Sequence, residues 1–355
     1  MPHPAWADST GGPGTVHPSR GAAMAGTGGG RRAPITLEDV AREAGVSRAT
    51  ASRALIGSDT VSTPARERAR AVAARLGYAP DPLARALAAG TGTRLVVAVA
   101  GPDPTVLDDA YTGRVVNAAA AVGDRAGVGV SLQWLPLDRP AGLDRIAADR
   151  SVHGLVLVNA TNGLLARVPR SLRGRVVSIG VGSRDVPAVD IDNAGGAATM
   201  VAHLIGTGRR RIAMITGPRW LPCTSRMVEA YRATLREAGL PARVVPGGFA
   251  AEDGLVGARR ALRRWPDTDA VLAVCDAVAL GAIAALRELG VRVPGDVAVT
   301  GFDDVPMAAW GEPALTTATH PVRTIATTAA TAVLGGEAVP PQTWYPSELV
   351  LRASA

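Results

Sequence analysis

From residue 95 to the C-terminus the chain alternates short apolar runs with amphipathic stretches. Residues 95–100, 128–132, 154–158, 176–179, 211–215, 270–274 and 297–300 read as strands. Between most of them, residues 114–126, 195–204, 226–238, 254–264 and 277–289 carry a helical pattern. Continuous apolar strands alternating with helices predict parallel sheets covered on both faces. The length allows two such sheets, with a ligand site beyond the strand C-termini or in the crevice between two lobes. Residues 35–78 read instead as short helices with tight turns. Residues 79–94, with Pro80, Pro82 and Gly90, read as a linker.

The segment from Thr36 to Leu55 has its punctuation written into it. Thr36 caps a first helix, with Asp39 three residues on as an approximate capping box. Leu37, Val40, Ala41 and Ala44 share one face by their i, i+3, i+4, i+7 spacing. Gly45 supplies the positive φ that ends the helix, Val46 turns inward, and Ser47 caps a second helix. Two short helices around a glycine turn form the compact pair that enters a major groove. On the second helix Arg48, Ala49 and Arg53 are the candidates for base contact, since an arginine fork matches guanine O6 and N7. The hydroxyls of Ser47, Thr50 and Ser52 suit phosphate contacts that hold register, and Thr36 is a further candidate DNA contact. A third helix starts near Ser62 or Thr63 with Pro64 at its first position, and Val72, Leu76 and Tyr78 complete the small core. An ordinary helical hairpin with exposed arginines is the alternative.

Charge separates these readings. The chain has 355 residues, 47% of them hydrophobic, which suits two or three folded domains. All 38 of its Lys+Arg positions are arginine. Residues 31–94 hold 11 arginines against 6 acids, whereas residues 95–355 hold 26 against 24. A basic module next to a near-neutral body points to a polyanion at one end only. The first 32 residues, rich in Gly, Pro, Ser and Thr, contain no apolar core of an export signal and read as a disordered tail. Met24 is an alternative initiator. No apolar run reaches membrane length, and Cys223 and Cys275 lack metal-ligand spacing. The expectation is a cytoplasmic, nucleoid-associated protein with no membrane partner and no cofactor.

Residues 81–90 read as one short helix, with Asp81 as N-cap, Pro82 at N1 and Gly90 at C′. Such a helix is marginal in water alone and would fold when paired with a second copy on DNA, where Leu87 would be an apolar wedge in the minor groove. A plain linker is the alternative.

The motifs Thr36-Leu-Glu-Asp-Val-Ala, Ala44-Gly-Val-Ser, Thr50-Ala-Ser-Arg-Ala-Leu, Leu76-Gly-Tyr and Ala84-Arg-Ala-Leu together resemble the lactose/galactose-repressor (LacI/GalR) family. The resemblance continues through Val152-His-Gly-Leu-Val-Leu-Val, Asp192-Asn-Ala-Gly-Gly-Ala, Gly208-Arg-Arg-Arg-Ile-Ala and Val293-Pro-Gly-Asp-Val-Ala-Val-Thr-Gly-Phe-Asp-Asp, and ends at Leu315-Thr-Thr and Pro346-Ser-Glu-Leu-Val. It implies an N-terminal all-α helix-turn-helix domain (34–79) after the tail (1–33). A hinge helix or linker (80–93) follows, then a two-lobed α/β periplasmic-binding-protein-like core with parallel sheets (94–355). It implies a homodimer on a pseudopalindromic double-stranded operator, with DNA contacts that include Ser62, Ala84 and Leu87. Ile56 departs from the family, where an asparagine is common.

The same resemblance carries effector positions onto this chain. Arg226, at the start of a core helix, matches an arginine that grips ligand hydroxyls or carboxylates. Asp303 matches an acidic acceptor, and Phe249 a ring that stacks on the ligand. Asp109 and Tyr111 fall where the first core helix begins, and Asn159 follows a strand. Cys275 stands where relatives carry a ligand-binding asparagine, and a thiol is a weak donor and acceptor. Each has a structural alternative: a solvated arginine, a turn-capping aspartate, a core phenylalanine, a small buried cysteine. A planar donor fork, an anionic acceptor and an apolar platform together suit a polyol.

The resulting reading is a sequence-specific transcriptional regulator, a repressor, whose operator affinity follows a small polar effector such as a sugar. A sugar-transport protein of the same core fold would not carry residues 35–90. An enzyme has no phosphate-binding glycine loop or nucleophile–base spacing to support it.

Overall fold

The computed structural model describes residues 35–58, 60–79, 92–138, 141–335 and 339–355. It divides into two units, Met1–Pro80 and Asp81–Ala355. In the first, α1 spans Leu37–Ala44, α2 Arg48–Leu55 and α3 Thr63–Leu76. The capping box at α1 is complete: the Thr36 hydroxyl accepts from the Asp39 N–H at 3.3 Å, and the Asp39 carboxylate accepts from the Thr36 N–H at 3.0 Å. Gly45, at φ 65°, ends α1 as the turn requires, and the Ser47 hydroxyl accepts from the Thr50 N–H at 3.1 Å to open α2.

The core of this unit is small. Ala44, Ala54, Val61, Ala65 and Ala69 form its buried cluster, with Val46 and Val72 packed against it. Leu76 and Tyr78 are half-buried and stand outside that cluster, because alanine-sized side chains already bring the three helices into contact. Ser62 is the N-cap of α3 but makes no side-chain cap bond, and Pro64 is the second helical residue rather than the first. The expected hinge helix, with Ala84 and Leu87, lies outside the described residues.

The second unit holds β1 (Arg94–Gly101), α4 (Ala110–Ala126), β2 (Gly129–Pro136), α5 (Ala141–Ala148), β3 (Val152–Val158), α6 (Asn162–Leu165), β4 (Val176–Ile179) and β5 (Ala188–Ile191). These are followed by α7 (Asn193–Gly206), β6 (Ile212–Ile215), α8 (Pro222–Glu237), β7 (Arg243–Val245), α9 (Ala251–Arg264), β8 (Ala270–Ala273), α10 (Asp276–Glu288) and β9 (Ala298–Thr300). Last come α11 (Pro306–Trp310), β10 (Thr317–Ala318), α12 (Val322–Gly335), β11 (Gln342–Tyr345) and β12 (Leu349–Val350). One sheet has the order β11-β5-β4-β3-β1-β2 and the other β7-β6-β8-β9, with all pairs parallel.

Strand β1 shows why these strands are apolar without alternation. Leu95, Val97 and Val99 enter the main core cluster on one face, whereas Val96, Ala98 and Ala100 enter a second cluster on the other. The chain passes between the two lobes three times: from β5 into α7, from β10 into α12, and from β11 into β12, which pairs antiparallel with β10. At the crossovers Thr319 and Glu348 are tied together, the Thr319 N–H donating to the Glu348 carbonyl at 2.8 Å and the Glu348 N–H to the Thr319 hydroxyl at 2.9 Å.

Several elements carry little sequence signal. β11 is a polar, aromatic edge strand, β7 has three residues, and the Thr-rich α12 mixes polar and apolar residues around its circumference. Tertiary pairing, not local pattern, makes them regular.

Candidate functional site

On the helical unit, Arg48, Ala49 and Arg53 are exposed on α2, with Ala49 and Arg53 one turn apart on the same face. Arg53 Nε donates to the Ala49 carbonyl at 3.3 Å, and Arg48 lies 3.7 Å from Glu38. These are weak, exposed contacts that a phosphate or base edge can replace. Ser47 and Thr50 share a hydroxyl–hydroxyl bond of 2.8 Å, Ser52 is half-buried, and Thr36 and Ser62 sit exposed at helix starts.

In the second unit a cavity of about 190 Å³ opens between the lobes beside the crossovers. A cavity near 150 Å³ suffices for benzene, so this one has room for a somewhat larger molecule. All seven expected effector residues line it: Asp109, Tyr111, Asn159, Arg226, Phe249, Cys275 and Asp303. Most lie where the strands of parallel sheets deliver them, just beyond C-terminal ends: Asn159 after β3, Phe249 after β7, Cys275 after β8 and Asp303 after β9. Asp109 is the N-cap of α4, accepting from the Tyr111 N–H at 3.0 Å.

Backbone and packing hold these groups in place. Asn159 has φ 60° and Asp303 φ 108°, conformations that cost a non-glycine residue about 1–3 kcal/mol. Asp303 keeps its conformation because its N–H donates to the Ala318 carbonyl at 2.8 Å and its carboxylate pairs with His320 Nδ1 at 2.8 Å. Gly217 makes room for Phe249: a Cβ there would stand 3.0 Å from the ring and 2.8 Å from the Thr224 hydroxyl. Beneath the site, fully buried Asp276 accepts from the Val305 N–H at 2.8 Å and from the Thr317 hydroxyl, joining the loop after β9 to β10. Burial pushes its carboxyl up to about 7.

Arg226 differs from expectation. It does not open its helix; α8 begins four residues earlier at Pro222, which serves at its first position as prolines do. Its guanidinium is already engaged across the lobes, ion-paired with Asp190 at the end of β5 and donating to Asn193 Oδ1 at 2.7 Å. It also stands 5.0 Å from the centroid of the Trp344 ring. Burial pushes the Asp190 carboxyl up, and Arg226 opposes that push. A ligand that uses this arginine must share or displace these partners.

Sequence reasoning missed Arg114, Asp190, Asn193, Cys223 and His320, which also line the cavity. The run Asp190-Ile-Asp-Asn193 was a visible polar signal after an apolar stretch; His320 had none, because its neighbours come from distant segments. Its ring lies 5.2 Å from that of Tyr111 and 6.1 Å from that of Phe302. Desolvation raises the Asp109 carboxyl, although the residue is the most exposed of the seven, and the Asp303 charge adds to the rise. Burial pushes the Cys223 thiol up to about 12 and the Cys275 thiol up as well; the Cys275 thiol donates to the Phe249 carbonyl at 3.5 Å. Thiols held protonated are poor nucleophiles, so Cys275 acts here as a small buried wall. Among the described residues no group of three or more His, Cys, Asp or Glu is placed to hold a metal, and no helix is long and apolar enough to cross a membrane.

A two-lobed α/β domain with a cavity at its crossovers, preceded by a helix-turn-helix, defines a DNA-binding protein with a ligand domain. The comparisons with known proteins agree. The family model for bacterial regulatory proteins of the lacI family matches residues 36–81, and that for a periplasmic binding protein-like domain matches residues 201–355. The HTH-type transcriptional regulator CelR of Thermobifida fusca is 35% identical over 307 residues, covering 82% of this chain and 88% of CelR. Catabolite control protein A of Priestia megaterium is 28% identical over 81% of this chain and 88% of its own. Among solved structures, a CelR–cellobiose complex has a TM-score of 0.63 at 31% identity, covering 90% of this chain and 100% of that one. The lac repressor dimer bound to operator and the anti-inducer ONPF has a TM-score of 0.81 at 25% identity, covering 91% and 99%. The chain belongs to the lacI family of bacterial regulatory proteins, as a DNA-binding transcriptional regulator with an effector-binding domain.

Proposed function

We propose that the protein is a cytoplasmic, nucleoid-associated repressor, without enzymatic activity, that acts as a homodimer on a pseudopalindromic operator and is switched by a small polar effector bound in the cavity. The carrying observation is convergence: seven residues spread from position 109 to position 303 line one cavity where the chain crosses between its lobes three times. A cavity at such crossovers responds to its occupant, since a ligand that touches both lobes has different affinity for different lobe arrangements.

On this reading Arg53, Arg48 and Ala49 read bases. Thr36, Ser47, Thr50, Ser52 and Ser62 hold phosphates, and Ala84 and Leu87 belong to a minor-groove element. Asp303, Asn159 and Asp109 accept from ligand hydroxyls, Phe249 and Tyr111 supply the apolar platform, and Arg226 couples ligand to lobe arrangement. The cellobiose in the CelR complex and the operator and anti-inducer in the lac repressor complex support this class of ligand and partner.

The test begins with operator selection from a random duplex library. The selected duplex is then titrated with the full chain, with and without a panel of sugars, polyols and nucleobases. A selected twofold-symmetric sequence whose affinity changes with one panel member is expected. A chain that selects no sequence, or whose affinity no member alters while binding the protein, would overturn the reading.

A further inference from the structure

His320 stands on the crossover between β10 and α12, lines the cavity, and has a side chain only 9% exposed. Tyr111 and Phe302 flank its ring, and Nδ1 lies 2.8 Å from Asp303 Oδ1. An ionised carboxylate can only accept, so the proton of this contact sits on Nδ1, and in the neutral ring Nε2 carries a lone pair. That Nε2 is buried and has no hydrogen-bond partner among the described residues. The large majority of buried polar atoms in folded proteins are paired, and an orphan that lines a cavity is placed to take a partner supplied from outside.

The charges around it restrict that partner. Three carboxylates line the cavity, those of Asp109, Asp190 and Asp303, against two guanidiniums, those of Arg114 and Arg226. Arg226 gives one Nη to both Asp190 and Asn193 while its buried Nε has no hydrogen-bond partner among the described residues, and Arg114 turns one Nη to the His320 carbonyl at 3.5 Å. The wall near the crossover therefore offers acceptors: Nε2 of His320, the second oxygen of Asp303, and the Asp109 carboxylate. An anion placed here meets three carboxylates against two guanidiniums, one of which is already paired with Asp190.

We propose that His320 is a specificity-determining residue whose Nε2 accepts a hydrogen bond from an uncharged, donor-rich ligand, and that this wall rejects phosphorylated and carboxylated ligands. The inference rests on the reading of the cavity as the effector site. Asp303 acts on the ligand partly through the imidazole, by fixing which ring nitrogen bears the proton. The apolar side of the same cavity, with Phe249, Leu221 and Met227, takes the ligand's carbon face.

The test is calorimetry at pH 8 on the full chain with matched pairs: cellobiose and cellobionate, glucose and glucose 6-phosphate, ribose and ribose 5-phosphate, adenosine and AMP. The neutral member of at least one pair is expected to bind, with its anionic counterpart at least tenfold weaker. For that neutral ligand, His320→Phe, which keeps the ring stack and removes the acceptor, should weaken binding tenfold or more. His320→Gln, which restores an acceptor oxygen, should regain most of it. An anionic member that binds as tightly as its neutral parent overturns the proposal in the wild-type protein alone, whatever the variants do. A folded His320→Phe protein with undiminished affinity overturns the role of Nε2. If no member of any pair binds, the effector-site reading itself fails, and this inference with it.

Discussion

Residues 35–79 and residues 92–355 solve the same packing problem with opposite materials. The helical unit closes over Ala44, Ala54, Val61, Ala65 and Ala69, whereas the α/β unit buries Leu, Ile, Met, Phe and Tyr side chains on both faces of its sheets. Small side chains let three short helices approach closely but remove little apolar surface from water, so that unit has a thin margin of stability. Its candidate base-reading side chains, Arg48, Ala49 and Arg53, stand exposed on one helix. The larger unit has stability enough to keep buried charges, positive-φ backbones at Asn159, Asp303 and Asp304, and a cavity between its lobes. The stable unit is the one that carries the strain.

The sharpest way to break this contrast is Ala69→Asp, which buries an unpaired carboxylate in the alanine core. Specific operator binding should vanish in a gel-shift titration, while the thermal transition of the α/β unit and its ligand affinity stay as in wild type. Retained operator binding would mean that the small core tolerates what its size forbids.

In the α/β unit, the buried carboxyl of Asp276 should make stability depend on pH. Burial raises its folded pKa to about 7 from an ordinary value of 3.8. Its contribution is therefore fully present below about pH 4 and is lost as pH rises through 7. The change is on the order of 4 kcal/mol, taking about 1.4 kcal/mol for each pKa unit. Asp276→Asn should flatten that part of the profile in denaturant titrations between pH 4 and pH 8. An unchanged slope in the variant would place the dependence elsewhere.

Next in size is the pair across the lobes. Arg226→Ala leaves Asp190 buried without its cation and should destabilise the unit by about 3 kcal/mol, besides abolishing the effector response. Asp190→Asn combined with Arg226→Gln should recover most of the stability and none of the response. Wild-type stability in the single variant would show the ion pair to be a solvated contact.

The smallest effect belongs to the DNA face. Arg53→Ala should cost about 2 kcal/mol at the operator and relax preference at one base pair, with ligand binding untouched. Equal affinity for wild-type and variant protein would remove Arg53 from base readout.

The helical unit was legible nearly residue by residue. Thr36, Asp39, Gly45 and Ser47 do in the structure what their spacing announces, because a cap or a turn is decided by partners within four residues. The apolar strand runs of the α/β unit were legible for the same kind of reason, since a strand buried on both faces needs no alternation. What neighbouring residues do not decide was missed: β5 and β11 at one side of a sheet, and the cavity wall formed by Asp190, Asn193 and His320.

The chain by itself thus determined its two units, their helices and most of their strands, the basic helix-turn-helix, and which residues carry polar chemistry near strand ends. Only the tertiary structure decided who meets whom. Arg226 finds Asp190 across 36 positions and His320 finds Asp303 across 17, because three crossovers bring both lobes to one place. Local order follows from backbone sterics and hydrogen bonds between near neighbours. The charge, tautomer and free valence of a buried side chain depend on groups that only the folded path of the chain brings within reach.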